Sequence, residues 1–162
     1  MGTTDATPLS FEQRSAQAVA RGIGRLFARN DIWCLPEMPL RSGRRADLMG
    51  IDAKGRVVIV EIKVSKADLL GDNKWTDYLE HCDRFYWGLA HQLDRGCMES
   101  EAFLPNRCGL IVADGYDAEF LRDAADVPLA AARRKAEIER LARTALRRQA
   151  ISLDPQWNGW AG

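Results

Sequence analysis

The stretch from residue 44 to residue 66, RRADLMGIDAKGRVVIVEIKVSK, decides the fold. Two runs rich in apolar residues, RADLMGIDA and RVVIVEIKV, flank Lys54-Gly55, the strongest β-hairpin signal in the chain. With a three-residue loop, Ala53-Lys54-Gly55, Asp52 pairs with Arg56 and the same register sets Asp47 opposite Glu61. Directly opposed residues hold their Cβ atoms about 4.5 to 5.5 Å apart, so the two carboxylates would nearly touch. A two-residue loop would shift the pairing by one and separate them.

Side chains alternate along a strand, which places Glu61 and Lys63 on one face with Val57 and Ile59, and Asp47 on a face with Met49 and Ile51. That face is apolar until the end where Asp47, Glu61 and Lys63 meet. Two unpaired carboxylates at this separation repel, and in a half-buried place one must take up a proton unless a cation lies between them. Mg²⁺, or Mn²⁺ in its stead, suits such a pair because it takes one or two carboxylates and completes its shell with water and substrate phosphate. Lys63 could then orient or deprotonate a water, or stabilise charge on a phosphate. The competing reading is a salt-bridged cluster in which Lys63 and Arg45 neutralise the two acids. Glu12, on the apolar stripe of the first predicted helix, is either a further metal ligand or a first-turn carboxylate that stabilises the helix dipole.

Outward from the hairpin, Ser10 and Gln13 form a capping-box pattern, and Ala16, Val19, Ala20, Ile23, Leu26 and Phe27 follow at helical spacing, predicting a helix over 11–29 that ends at Asn30. Gly22 and Gly24 inside it are expected to permit close packing. IWCLPEMPL (32–40) is a strand broken by two prolines, hence an edge strand or a bulged one. Ser65 to Asp68 opens a short helix interrupted by Gly71, after which Trp75, Tyr78, Leu79 and Cys82 continue on one helical face. DRFYWGLA (83–90) and GLIVADG (109–115) are two further strands, with a plain loop between them over 91–108. A basic helix over 128–150, with Ala132, Ile138, Leu141 and Ala145 inward, closes the chain. Strands flanked by helices give a layered α/β sandwich.

The totals bound the function. A chain of 162 residues is long enough for one core, and 23 basic against 23 acidic residues leave no net charge, so neither disorder nor a uniformly basic coat is indicated. The balance conceals a basic C-terminal segment: residues 128–162 hold seven Lys/Arg against three acids. The expected organisation is one domain over 1–162, with a core over about 9–127, the basic helix over about 128–150 and a short tail over 151–162. Cys34, Cys82, Cys97 and Cys108 show no metal or redox spacing, and free thiols in a cytoplasmic protein are expected. No signal peptide and no membrane span are expected.

The spacing D-x₁₃-E-x-K on a strand pair resembles the PD-(D/E)XK nuclease superfamily, whose fold is the restriction-endonuclease-like sandwich, a central mixed β-sheet flanked by helices. RRADL, VEIKVSKADLLGDNKWTDYLEHCDRFYWGLA, GLIVADGYDAEFLRDA and LAAARRKAEIERLAR resemble, in that order and over roughly residues 9–148, the MmcB-like family of bacterial DNA repair proteins in that superfamily. The resemblance implies a metal-dependent DNA nuclease of repair, with Asp47 and Glu61 on the metal, Lys63 acting on the water, Glu12 matching a first-helix glutamate, and Lys74 and Tyr78 matching positions in the helix after the motif. Ala46 stands where the superfamily's name has proline, and 91–107 does not match the family's pattern. DNA is the implied partner, single-stranded or branched structures being left open together with a homodimer or a repair-protein partner.

Arg44 and Arg45 are either bidentate phosphate donors or a solvated pair. Arg133, Arg140 and Arg147 recur every seven residues, either as a phosphate-tracking stripe or as an ordinary solvated face. Of Trp75, Tyr78, Phe85, Tyr86 and Trp87, most are expected in the core, with one ring at the site mouth able to stack on a base. His81 and His91 are expected to be incidental. Trp157 and Trp160 either dock on the domain or serve a partner. The rival to a nuclease is a non-catalytic DNA-binding or scaffold protein of a repair complex that keeps the fold and uses the arginine helix as its contact. A second rival is an interaction domain with a structural charge cluster.

Overall fold

The structure, a computed structural model, describes residues 6–156. Ser10 and Gln13 cap each other: Ser10 Oγ accepts from the Gln13 amide at 3.1 Å and Gln13 Oε1 accepts from the Ser10 amide at 2.8 Å. Helix α1 (Phe11–Arg29) follows over the expected span and ends at Asn30, whose side-chain amide donates to Leu26 O. A Cβ on Gly22 would come within 2.6 Å of the Asp117 carbonyl oxygen, so this glycine does permit close packing; Gly24 faces open space, which corrects the expectation for the pair.

Strands β1 (Trp33–Pro39), β2 (Arg45–Ile51), β3 (Val57–Lys63), β4 (Arg84–Ala90), β5 (Gly109–Ala113) and β6 (Ala118–Arg122) form one sheet in chain order. β1, β2 and β3 pair antiparallel, β3, β4 and β5 parallel, and β6 antiparallel to β5. This is the expected mixed sheet flanked by helices, with proline-bearing β1 at its edge. β6 was not among the expected strands. Its sequence, AEFLR, alternates half-buried and exposed positions with no fully buried one, so it carries no apolar run to betray it. Residues 91–108 hold two short 3₁₀ turns, Gly96–Glu99 and Glu101–Phe103, that bury Met98 and Phe103 where a plain loop is expected.

Each sheet face carries its own apolar layer. Val58, Val60, Ile62, Tyr86 and Ile111 pack under α1, and Met49, Val57, Ile59, Phe85 and Trp87 pack on the opposite face. That second face is covered by helix α2 (Lys66–Gly71), a 3₁₀ segment (Trp75–His81) and helix α3 (Ala131–Leu153). The segment after Gly71 is therefore a tighter 3₁₀ coil rather than a continued α-helical face. Trp75, Tyr78, Phe85, Tyr86 and Trp87 are all at most 4% exposed, so none of these rings is available to stack on a base.

α3 runs three residues past the expected end at 150 and presents a different inner face. Leu141 is buried and Ile138 and Ala145 are half-buried as expected, but Ala132 is exposed. Buried instead is Glu137, whose Oε1 meets His81 Nδ1 at 2.8 Å, so His81 is a pairing residue of the core rather than an incidental one. Arg140 donates to Pro39 O at 3.1 Å, and Arg148 donates to Pro36 O at 2.5 Å and Glu37 O at 2.9 Å. α3 thereby satisfies carbonyls of the edge strand that would otherwise invite another strand. Trp157 and Trp160 lie outside the described residues.

Asp83 anchors this arrangement. It is 2% exposed and accepts from the Val57 amide at 2.7 Å, the Leu129 amide at 2.8 Å and Arg134 Nη2 at 2.6 Å, joining the start of β3, the start of β4 and the approach to α3. Burial alone would raise its pKa, but the Arg134 and backbone hydrogen bonds outweigh it and the net shift is downward. A carboxyl depressed in the fold contributes stability above its unfolded pKa of about 4 and loses it as pH falls through the folded value. Asp83→Ala strands buried donors and Arg134, so the variant is expected to lose about 3 to 5 kcal/mol in urea unfolding near neutral pH, with the gap to wild type closing under strong acid.

Candidate functional site

The hairpin turn fixes the register. Asp52 Oδ1 accepts from the amides of Lys54 and Arg56 at 2.9 and 3.0 Å, Asp52 O accepts from Gly55 at 3.0 Å, and Gly55 takes the left-handed φ of +76° the turn requires. The pairs Leu48↔Val60, Met49↔Ile59 and Ile51↔Val57 then follow, as a three-residue loop dictates. The ladder stops short of Asp47 and Glu61. Instead of a backbone partner, the Ile62 amide finds Asp47 Oδ2 at 2.7 Å, so the Asp47 side chain caps β3 where the two strands part. Asp47 and Glu61 thus lie together at one end of the central strands, on the face that bears α2 and α3.

Glu61 is 7% exposed and its Oε2 is buried without a hydrogen-bond partner among the described residues. Burial, and then the adjacent charge of Asp47, push its carboxyl up to about 9. Lys63 is 4% exposed, with Nζ 3.9 Å from Glu61 Oε1, 3.4 Å from Asp68 Oδ1 and 3.2 Å from Asp72 Oδ2. Burial would lower its pKa, yet the surrounding carboxylates raise it on balance, so the side chain is an ammonium. Asp68 and Asp72 keep that ammonium paired even when Glu61 carries its proton. Neither acid was singled out from sequence as a partner of the lysine; Asp68 sits in the first turn of α2 and Asp72 caps its C-terminal end in extended conformation.

The remaining expected site residues divide. Tyr78 is buried beside the pair; its hydroxyl donates to Arg45 O at 3.0 Å, and burial, then the proximity of Glu61, raise its pKa. Arg44 lies 4.6 Å over the Tyr78 ring, donates to Lys74 O at 2.8 Å and faces Asp72 at 3.4 Å, so its fork is engaged within the protein. Arg45 is exposed and faces Glu37 at 3.6 Å. Lys74 is exposed and its backbone amide donates to Asp72. Glu12 is exposed on the first turn of α1, in the layer across the sheet, and is not gathered with Asp47 and Glu61. Among the described residues no three His, Cys, Asp or Glu side chains cluster closely enough to form a metal cage of protein ligands alone.

The two-carboxylate set fits a hard divalent ion that keeps open coordination for water and phosphate. The orphaned Glu61 Oε2 carries that fit: a buried acceptor with no donor and a carboxylate beside it calls for a cation or a proton.

The class is therefore an α/β protein with a mixed sheet whose central strand ends in an acid, acid and lysine constellation. The profile of the family described as DNA repair protein MmcB-like matches residues 5–156, and the chain belongs to that family. Among solved structures, a protein of unknown function from Silicibacter pomeroyi is 38% identical, with a TM-score of 0.75 over 98% of this chain and 99% of that one. A repair endonuclease from Pyrococcus abyssi is 16% identical with a TM-score of 0.41, over 75% of this chain and 50% of that one, a likeness too slight to support further comparison. No curated protein matches the chain. Among the described residues, no helix is long and apolar enough to cross a membrane.

The raised Glu61 carboxyl has a stability sign opposite to that of Asp83. An acid whose folded pKa exceeds its unfolded value favours the fold below the unfolded value and progressively disfavours it as pH climbs toward the folded one. In the absence of divalent ions, Glu61→Gln is therefore expected to unfold at higher urea than wild type at about pH 8, with the difference shrinking toward about pH 5.

Proposed function

We propose that this protein is a metal-dependent DNA nuclease acting in repair, and that Asp47, Glu61 and Lys63 form its hydrolytic centre. The single observation that carries this reading is the buried, unpartnered Glu61 Oε2 beside the Asp47 carboxylate, with the Lys63 ammonium on the same face. Asp47 and Glu61 would hold Mg²⁺ or Mn²⁺. When bound, such an ion supplies charge neutralisation and Lewis-acid polarisation of a phosphodiester.

The chain's own residues supply the rest. Glu61 would give up its proton on binding such an ion. Asp47 keeps one oxygen on the Ile62 amide, which orients its carboxylate toward Glu61. Lys63, a paired ammonium, donates to a phosphate oxygen or orients a water and stabilises negative charge that develops in hydrolysis. Tyr78 and Arg44 wall the site and position the backbone of Arg45. The four cysteines are all free, in keeping with a cytoplasmic setting.

One observation favours the non-catalytic alternative. Lys63 Nζ is committed to Asp68 and Asp72, and a lysine held this way also suits a structural cluster that merely keeps the fold.

The deciding experiment is a cleavage panel of single-stranded, duplex and forked DNA with Mg²⁺ or Mn²⁺. Cutting is expected in wild type and abolished by EDTA. Lys63→Ala, and Lys63→Met, which keeps the packed stem, are expected to lower the rate about 10²-fold or more while unfolding cooperatively. No cutting of any substrate by wild type would leave the binding protein as the reading. Calorimetry offers an independent check: Mn²⁺ uptake near neutral pH is expected to release about one proton in wild type and none in Glu61→Gln.

A further inference from the structure

α3 crosses the sheet and extends past the edge strand, and the side chains it carries there are not spent on the core. Arg140, Arg143, Thr144, Leu146 and Arg147 line a groove of about 410 Å³ with Met38 and Pro39 of β1. No acidic residue is among the groove's described lining residues. Arg143 and Arg147 are exposed and form no ion pair with any described residue, and Arg140 Nη1 has no hydrogen-bond partner there although Nη2 is tied to Pro39 O. The expected stripe of Arg133, Arg140 and Arg147 is thus redrawn. Its groove portion is Arg140, Arg143 and Arg147, while Arg133 lies two turns earlier.

The groove borders the end of β1 that pairs beside the candidate centre. Pro39, which accepts from Arg140, pairs with Arg45, two residues before Asp47 on β2. A helix rises 1.5 Å per residue, so Arg143 and Arg147, one turn apart on the same side, stand about 6 Å apart along its axis. They are two exposed cations without a partner among the described residues, and phosphates neutralised by such cations release counterions.

We infer that the groove between α3 and β1 is the track along which a DNA backbone is led to the Asp47 and Glu61 pair, with Arg143 and Arg147 as its phosphate contacts. The inference rests on the proposed action on DNA but not on cleavage, and continuity with the acidic pair favours DNA over an anionic membrane or an acidic peptide as the occupant.

The test measures binding in EDTA, where no metal-dependent cutting can intervene, by fluorescence anisotropy of a labelled single strand and of its duplex across a salt series. Arg143→Ala/Arg147→Ala is expected to weaken binding about tenfold or more and to flatten the slope of log affinity against log salt by about 1.4 for the single strand. Lys54→Ala, at the exposed hairpin turn on the opposite end of the strands, is expected to leave both unchanged. Equal affinity and equal slope in the double variant, or no DNA binding by wild type, would overturn the inference. So would loss of binding to phosphatidylglycerol vesicles or polyglutamate in the double variant with DNA binding intact. Cleavage by wild type together with unaltered binding by the double variant would sink the groove and spare the nuclease reading; groove-dependent binding without cleavage would do the reverse.

Discussion

The register of one hairpin governs the rest of this molecule. Asp52 folds the β2–β3 turn onto itself through the amides of Lys54 and Arg56, and it accepts from Arg84 Nη1 at 3.3 Å as well, so the turn is tied to β4. A slip of one residue would carry Asp47 to the face under α1 and leave Glu61 without its neighbour. With the register held, an unfavourable encounter follows: two carboxyl groups at the end of a buried strand, one of them with an oxygen that nothing donates to. The apolar contacts around β3 and the network at Asp83 stabilise a fold that contains this local cost, and perturbed buried carboxyls of this kind concentrate at functional sites.

Much of this was legible in the residues. The turn residues Lys54-Gly55 between two apolar runs announced the hairpin, and the three-residue loop was one of two lengths they allowed; Asp52, which accepts from the Lys54 and Arg56 amides, is what selects it. The capping pair Ser10 and Gln13 fixed the start of α1 for an equally local reason. What escaped depends on tertiary context. β6 has no buried position and so no apolar run; the 3₁₀ segment at Trp75–His81 has the apolar spacing of an α-helix; and His81 looked incidental because its partner, Glu137, is 56 residues away. The role of Asp68 and Asp72 was similarly hidden, since local sequence does not say that a lysine will fold back beneath the following helix.

The same contacts divide the arginines into those that build and those left available. Arg134 is spent on Asp83, Arg148 on the edge carbonyls and Arg44 on Tyr78 and Asp72, whereas Arg143 and Arg147 project from a helix whose other side is already anchored. A chain with no net charge can therefore still present a local positive surface, as Arg143 and Arg147 do on α3.

The central claim is that Asp47 and Glu61 share a divalent cation. Anomalous scattering from crystals grown with Mn²⁺ tests it most directly. The account predicts a peak within coordination distance of a carboxylate oxygen of each residue, lost in Asp47→Asn crystals. Fully ordered Asp47 and Glu61 side chains with no peak between them at saturating Mn²⁺ would contradict it.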